Sequence, residues 1–206
     1  MCGRFFIDGA AEREVKRIAR RTGSADSMLF ADVRRDIRPA ERATILAPEG
    51  RDIAAVSMRW GFPSRGAGQL LINARAETAM ERPAFSESVT RRRCIIPAAG
   101  FYEWDRDKNK AEFRLPESPC IFMAGMYNLF EGEDRFVILT TEANESMRRV
   151  HDRMPLILRE EEISDWLWEE GRTQEFLRVI PPLLEREQSY EQMSLFDQLS
   201  DGGANE

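Results

Sequence analysis

The chain has 206 residues, 42% of them hydrophobic and 32% charged, and a net charge of −6. This length accommodates one substantial domain with a full core, or a domain with a tail. The three cysteines Cys2, Cys94 and Cys120 are odd in number and lack CxxC spacing, which argues against a disulfide framework and a zinc site. The sequence has neither a signal-like N-terminus nor an apolar run of ~18 residues, so we expect a cytoplasmic protein rather than a secreted or membrane-bound one.

Charge is distributed unevenly along the chain. Residues 1–158 hold 26 Lys and Arg against 23 Asp and Glu, whereas residues 159–206 hold 4 against 13. The positive residues of the basic body are Arg, except Lys16, Lys108 and Lys110. Guanidinium groups suit bidentate contacts with phosphate and stacking. The acidic total therefore does not exclude a nucleic-acid partner, although plain compositional bias would give the same pattern.

The predicted elements are short and follow one another closely. Alternation of apolar and polar residues predicts strands, and spacing of three and four predicts helices. In chain order we predict a strand at 5–7, a helix at 11–21, a polar Arg-rich loop, strands at 52–60 and 69–74, helices at 77–80 and 83–89, strands at 92–97, 101–105, 112–115, 121–127 and 136–141, and helices at 145–150, 164–167 and 173–179.

This order predicts an α+β fold. Many short strands with too few helices for regular βαβ units favour curved, largely antiparallel sheets that form an open, barrel-like core with peripheral helices. Beyond Pro181-Pro182 the sequence becomes acidic and poor in apolar residues. We therefore assign residues 1–180 to one domain and 181–206 to a flexible acidic tail.

Cys2 is the most informative candidate site residue. Removal of Met1 would leave a cysteine whose α-amine and thiol both have pKa values near ~8 to 8.5, so a useful fraction of each group is reactive at neutral pH. Such a 1,2-aminothiol condenses with an aldehyde: the amine forms an imine and the thiolate closes a five-membered thiazolidine. If Met1 stays, the Cys2 nitrogen is an amide and this chemistry is impossible.

Two further residues have side chains suited to proton transfer. His151 is the only histidine, and its unperturbed pKa lies near neutrality. Glu103 lies in Gly100-Phe101-Tyr102-Glu103-Trp104, where an apolar setting would raise a carboxyl pKa. If this segment is a strand, Phe101, Glu103 and Asp105 share one face. A structural histidine and a surface acid on an edge strand are the alternatives.

Polar and aromatic residues elsewhere suggest a binding surface. Asn73, Arg75 and Glu77 alternate in Asn73-Ala74-Arg75-Ala76-Glu77 and would project from one strand face. Trp60 and Trp104 are candidate platforms for base stacking, which contributes ~1–3 kcal/mol per base. The alternatives are a solvated strand face for the polar residues and core packing for the tryptophans.

These residues resemble the SRAP family, the SOS-response-associated peptidases, which process abasic sites in DNA. The resemblance covers about residues 2–168 and rests on seven ordered blocks: Cys2-Gly3-Arg4, Met58-Arg59-Trp60-Gly61, Asn73-Ala74-Arg75-Ala76-Glu77-Thr78, Arg93-Cys94-Ile95-Ile96-Pro97-Ala98, Gly100–Trp104, Thr140-Thr141-Glu142-Ala143-Asn144 and His151-Asp152-Arg153-Met154-Pro155.

The resemblance implies a covalent thiazolidine crosslink between mature Cys2 and the ring-opened aldehyde of an abasic site in single-stranded DNA. It implies that Asn73 orients Cys2 or the sugar, that Glu103 acts as acid and base, and that His151 shuttles a proton. It further implies no metal or organic cofactor, and a set of DNA contacts at Arg4, Pro39, Trp60, Arg75, Trp104 and Arg153. We expect a monomer.

One position departs from the family pattern. The family often has an Asn-Ile-Ala-Pro-type segment where this chain reads Asp36-Ile37-Arg38-Pro39. A carboxylate at Asp36 disfavours a nearby phosphate, which Arg38 would offset.

The tail carries a separate signal, Gln192-Met193-Ser194-Leu195-Phe196. It resembles the peptide by which bacterial DNA polymerases and repair proteins bind the sliding clamp, with Leu195 and Phe196 as apolar anchors and Gln192 fixing register. Two other functions stay open for the whole chain. One is a cysteine peptidase using Cys2 and His151, including self-removal of Met1; the other is a non-catalytic single-strand-binding or clamp-adaptor module.

Overall fold

The computed structural model describes residues 2–19, 21–22, 33–64 and 68–188. Its helices are α1 (Gly9–Ile18), α2 (Ser86–Arg91), α3 (Ile163–Trp168) and α4 (Thr173–Phe176). Its strands are β1 (Arg4–Ile7), β2 (Arg21–Thr22), β3 (Arg35–Ile37), β4 (Arg42–Glu49), β5 (Asp52–Trp60), β6 (Phe62–Pro63), β7 (Leu70–Leu71), β8 (Asn73–Arg75), β9 (Arg93–Ala98), β10 (Gly100–Trp104), β11 (Lys110–Arg114), β12 (Ile121–Phe130), β13 (Glu133–Glu142), β14 (Arg153–Pro155), β15 (Ile157–Leu158) and β16 (Glu185–Gln188).

Two sheets dominate the fold. The smaller sheet has the strand order β16-β11-β10-β1-β3, and the larger has the order β14-β13-β12-β9-β4-β5-β2 with β8 and β15 added at its side. Most pairs are antiparallel, whereas β8 and β5 both pair with β13 in parallel. The predicted α+β class with curved, largely antiparallel sheets is confirmed. No helix in the described part of the chain is long and apolar enough to cross a membrane.

Helix α1 is fixed at its start by Asp8. The Asp8 carboxylate accepts hydrogen bonds from the backbone N–H groups of Ala10 and Ala11, both at 3.1 Å, which satisfies donors that a helix leaves unpaired at its first turn. Ala11 and Val15 are fully buried on the inner face. The helix therefore covers the sheets with an apolar stripe, as its sequence spacing predicts.

Strand alternation divides the buried side chains into two clusters. Phe5 and Phe101 point to one side, into what we call the Cys2 cluster, which also contains the residues Cys2, Trp60, Phe113, Phe136 and Ile138. Phe6 and Tyr102 point to the other side, toward the helices. Gly100 begins β10 because a Cβ there would lie 2.5 Å from the Phe113 carbonyl oxygen. The Cys2 cluster is thus the interior on which the N-terminal strand is built.

Two local predictions are wrong. The Arg-rich loop before residue 52 contains the strand β4, whose residues from Ala43 to Ala47 are buried; Arg42, Pro48 and Glu49 at its ends mask an apolar segment that packs on both faces. The predicted helix at 145–150 is a pair of turns instead. There the Asn144 carbonyl accepts from Arg148 N–H and the Met147 carbonyl accepts from Val150 N–H, so no continuous helical ladder forms.

The predicted boundary at residue 181 is also wrong. The Asn144 side chain donates to the carbonyls of Pro181 and Pro182, each at 3.0 Å, and Leu184 is buried in the Cys2 cluster. Strand β16 then pairs with β11. The domain therefore includes the chain up to Gln188, because backbone pairing stabilises a segment that its acidic composition alone would leave in solvent.

Candidate functional site

Cys2 lies directly before β1 and its side chain is fully buried in the Cys2 cluster. Its Sγ lies 3.8 Å from the Arg4 carbonyl oxygen, as a weak donor. Burial first, and the charge of Glu103 second, raise the pKa of the Cys2 thiol well above its usual range. The thiol of the full chain is therefore protonated at neutral pH.

Asn73 is brought to Cys2 by the order of the sheet. Strand β8 pairs in parallel with β13, with Asn73 opposite Ile138, and the Asn73 Nδ2 donates to the Cys2 carbonyl at 3.0 Å. The Asn73 Oδ1 is buried and has no partner within the described residues. One amide thus holds the backbone of residue 2 and keeps a spare acceptor next to it.

Glu103 approaches the same point from β10. The antiparallel register places Arg4 opposite Tyr102 and Phe5 opposite Phe101, so the chain preceding β1 runs beside the end of β10. Glu103 shares the inner face with Phe101 and is only 4% exposed. Its charge acts on the Cys2 thiol. The shared face of Phe101 and Glu103 is confirmed, whereas Asp105, predicted on the same face, lies just beyond the end of β10. This face places a buried carboxylate where its charge reaches the Cys2 thiol.

Arg4 and Trp104 lie together on the opposite face of the smaller sheet. The Arg4 guanidinium is 5.2 Å from the Trp104 ring centroid, a cation–π distance. Arg4 also lies 3.9 Å from Asp36, which accepts a hydrogen bond from the Tyr102 hydroxyl at 3.2 Å. Asp36, which departs from the family pattern, therefore places a carboxylate next to Arg4. This carboxylate competes with the phosphate that Arg4 is predicted to bind.

His151 lies just before β14, in a loop that Arg153 holds. The His151 Nδ1 accepts from the Arg153 backbone N–H and lies 2.9 Å from the Asp152 carboxylate. The Arg153 guanidinium makes two bonds to Glu77, at 2.8 and 2.7 Å, and one to the Thr140 carbonyl. These contacts fix the loop that carries His151. They also mean that Arg153 is already paired with a carboxylate.

Arg75 is the more available of these two predicted phosphate contacts. It is exposed at the end of β8, and no described carboxylate pairs with it. It borders an open cavity of about 830 Å³ shared with Asn73, Phe85 and Phe130, and a second one of about 620 Å³ that contains Arg153. Arg75 therefore lines both the cavity next to Asn73 and the cavity next to the His151 loop.

The prediction that Trp60 packs against nucleotides is wrong for this conformation. Trp60 has no exposed surface: its ring lies between Phe5 and Phe136, with centroids 5.2 and 6.0 Å away, and its Nε1 donates to the Ile72 carbonyl at 2.9 Å. The apolar residues of β5 and β13 enclose it because strand alternation turns position 60 inward. Trp60 therefore belongs to the buried cluster that also encloses Cys2.

This position predicts a stability effect. Trp60→Ala should lower the free energy of unfolding by about 3–5 kcal/mol, because it removes a fully enclosed ring and leaves a cavity. Urea denaturation followed by circular dichroism measures this change. Trp104→Ala is the matched control and should cost clearly less, since Trp104 is only partly buried. Equal losses for the two variants would contradict the assignment.

Two predicted contacts remain to be placed. Pro39 is half-buried in a turn. The next residue, Ala40, has a φ of 70°, and its backbone N–H donates to the Trp60 carbonyl at 2.9 Å. The predicted clamp-binding residues Gln192, Leu195 and Phe196 lie outside the described residues, and that function stays a prediction. Sequence reasoning did not predict that Asp36 pairs with Arg4 or that Glu77 pairs with Arg153. The alternation with Arg75 marked Glu77 as a candidate site residue, but its partner Arg153 is 76 positions away in the sequence.

Comparisons with known proteins agree on one family. The model of the family described as "SOS response associated peptidase (SRAP)" matches residues 1–195. The chain is 35% identical to the Bacillus subtilis abasic site processing protein YoqW over an alignment of 159 positions that covers 70% of this chain and 71% of that protein. It is 28% identical to the Escherichia coli abasic site processing protein YedK over an alignment of 191 positions that covers 82% of this chain and 81% of that protein.

A solved structure gives the same result for the fold. A Bacteroides thetaiotaomicron protein superposes with a TM-score of 0.78 at 22% identity, covering 92% of this chain and 93% of the other. At that identity the likeness establishes the fold alone.

Proposed function

The chain belongs to the SRAP family, and from that premise we propose that it crosslinks itself to abasic sites in single-stranded DNA through a mature N-terminal Cys2. Two relatives that this chain matches over most of their own length are named abasic site processing proteins. The observation that carries the proposal is the junction at residue 2, where Asn73 holds the Cys2 carbonyl and the charge of buried Glu103 acts on the thiol.

The reaction needs no oxidant or reductant. After Met1 is removed, the α-amine of Cys2 attacks the C1′ aldehyde of the ring-opened sugar, and loss of one water gives an imine. The thiol then adds across the C=N bond, with sulfur going to carbon and the proton to nitrogen, which closes the thiazolidine. An abasic site held in this ring has no free aldehyde, so it is protected from strand cleavage.

Each assigned residue has one task in this scheme. Asn73 fixes the residue-2 backbone so that the amine and the thiol face the same carbon. Glu103 donates a proton to the leaving oxygen and accepts one from the attacking group, as a carboxyl group with little solvent contact can. His151, held by the Arg153 backbone, shuttles a proton during ring opening. Arg4, Arg75 and Trp104 bind the flanking nucleotides.

The test is a covalent adduct. Processed protein is incubated with a single-stranded oligonucleotide that contains one abasic site, and the products are resolved under denaturing conditions and weighed by mass spectrometry. We expect an adduct equal to protein plus DNA minus one water, and none with an undamaged oligonucleotide. Binding without an adduct would favour the passive single-strand-binding module. Cleavage of a peptide substrate that requires Cys2 and His151, without an adduct, would favour the peptidase.

A further inference from the structure

Three arginines form a row across neighbouring strands of the larger sheet. Arg42 of β4 lies directly opposite Arg59 of β5, and Arg59 lies directly opposite Arg135 of β13. Adjacent strands are ~4.8 Å apart, and like charges placed directly opposite each other destabilise a sheet. Without an anion, this row would work against the fold.

Glu133 is the anion that these arginines share. Its carboxylate lies 2.6 Å from Arg42, 2.7 Å from Arg59 and 3.0 Å from Arg135. Three guanidiniums against one carboxylate leave a net charge of +2, and no other described carboxylate forms an ion pair with the row. The side chains of Arg42 and Arg59 are 40% and 36% exposed. The row is therefore an uncompensated, solvent-accessible positive site.

The row borders the turn that contains Pro39. The Arg59 Nη1 donates to the Ala40 carbonyl at 2.8 Å, and Trp60, the next residue, is linked to both Ala40 and Glu41 through its backbone. Alternation puts Arg59 and Trp60 on opposite faces, so the row faces away from the Cys2 cluster. Along β13, Arg135 is three residues from Ile138, the partner of Asn73, a distance of ~10 Å.

We infer that Arg42, Arg59 and Arg135 form a phosphate-binding subsite for the nucleic-acid strand outside the lesion, and that Glu133 is its internal competitor. This inference rests on the proposed function. Glu133 demonstrates that all three guanidiniums reach one anion, and guanidinium binds phosphate oxygens in the same fork geometry. Each guanidinium has five N–H donors, more than its described contacts to Glu133 and one backbone carbonyl use. Glu133 stabilises the sheet by offsetting the repulsion among the three arginines, and it lowers their affinity for DNA.

Two substitutions test the subsite with opposite signs. Binding of an undamaged single-stranded oligonucleotide is measured by fluorescence anisotropy over a series of salt concentrations. Glu133→Gln should tighten binding by about 3- to 10-fold at low salt, because it removes the competing charge. Arg42→Gln should weaken binding by about the same factor and reduce the salt slope by roughly 0.7, the value for one lost phosphate contact on a single strand.

A matched control and a competitor complete the experiment. Arg172→Gln removes an exposed arginine that pairs with Asp165 and Glu175 and should change neither affinity nor slope. Unchanged or weaker binding by a folded Glu133→Gln variant would overturn the inference; if that variant does not fold, an Arg42→Gln variant that binds like wild type would do so. Displacement of the oligonucleotide by low millimolar inorganic phosphate would indicate a small-anion site instead.

The outcome is independent of the crosslinking chemistry because an undamaged oligonucleotide offers no aldehyde. A chain that forms no adduct with abasic DNA, but shows the two opposite effects, would retain the subsite and lose the proposed reaction. A chain that forms the adduct without them would retain the reaction and lose the subsite.

Discussion

Replacement of Cys2 by alanine is expected to abolish the denaturant-resistant adduct with abasic DNA while leaving an imine that borohydride can trap. Alanine at position 2 keeps the α-amine but has no thiol to close the ring. An intramolecular thiol on the same Cα has a very high effective concentration, so its loss should reduce the stable adduct at least about 100-fold. Denaturing electrophoresis with and without borohydride measures both species.

The matched control separates the amine from the thiol. A chain with a short, non-cleavable extension ahead of Met1 keeps the Cys2 thiol but converts its amine into an amide. It should give no adduct under either condition, because an amide nitrogen does not form an imine. A stable adduct with this extended chain would show that the thiol reacts alone, and the thiazolidine proposal would then be wrong.

Much of the sheet could be predicted from local patterns. The alternation in Gly100–Trp104 predicted a strand with Phe101 and Glu103 on one face, and β10 has that arrangement, with both residues buried. Strand β4 was missed because its central residues are all buried and the strand is covered on both faces. Such a strand shows no alternation of buried and exposed positions to detect. Strand β16 was missed because its stability comes from pairing with β11 rather than from its own side chains.

The site depends on contacts that are distant in the sequence. The bond from Asn73 to Cys2 spans 71 positions and exists because β8 joins the edge of β13. No rule of sequence spacing predicts that pairing. The individual residues therefore suggested only candidate chemistries, and the family resemblance alone placed them in one site. Trp60 illustrates the converse: the residue type allowed base stacking as an alternative to core packing, and the position of β5 between β4 and β13 places this side chain in the core.

Glu103→Gln is expected to slow adduct formation by roughly 10²- to 10⁴-fold, the usual contribution of a positioned acid or base. The same change should make the Cys2 thiol easier to ionise. The charge of Glu103 is the second cause, after burial, that raises the pKa of that thiol, so its removal lowers the pKa and the thiolate forms at a lower pH. Alkylation of Cys2 by iodoacetamide, followed by mass spectrometry across a pH series, measures this shift.

The two readouts of Glu103→Gln have opposite signs, which makes the variant decisive. If Glu103 acted only by suppressing the thiolate, its removal would speed both alkylation and adduct formation. If it transfers protons to the leaving oxygen and the imine, alkylation becomes faster and adduct formation slower. Glu175→Gln is the control because Glu175 is an exposed carboxylate of α4 that pairs with Arg172, and it should alter neither rate. Faster adduct formation by Glu103→Gln would remove the acid–base role and leave Glu103 as an electrostatic restraint on Cys2.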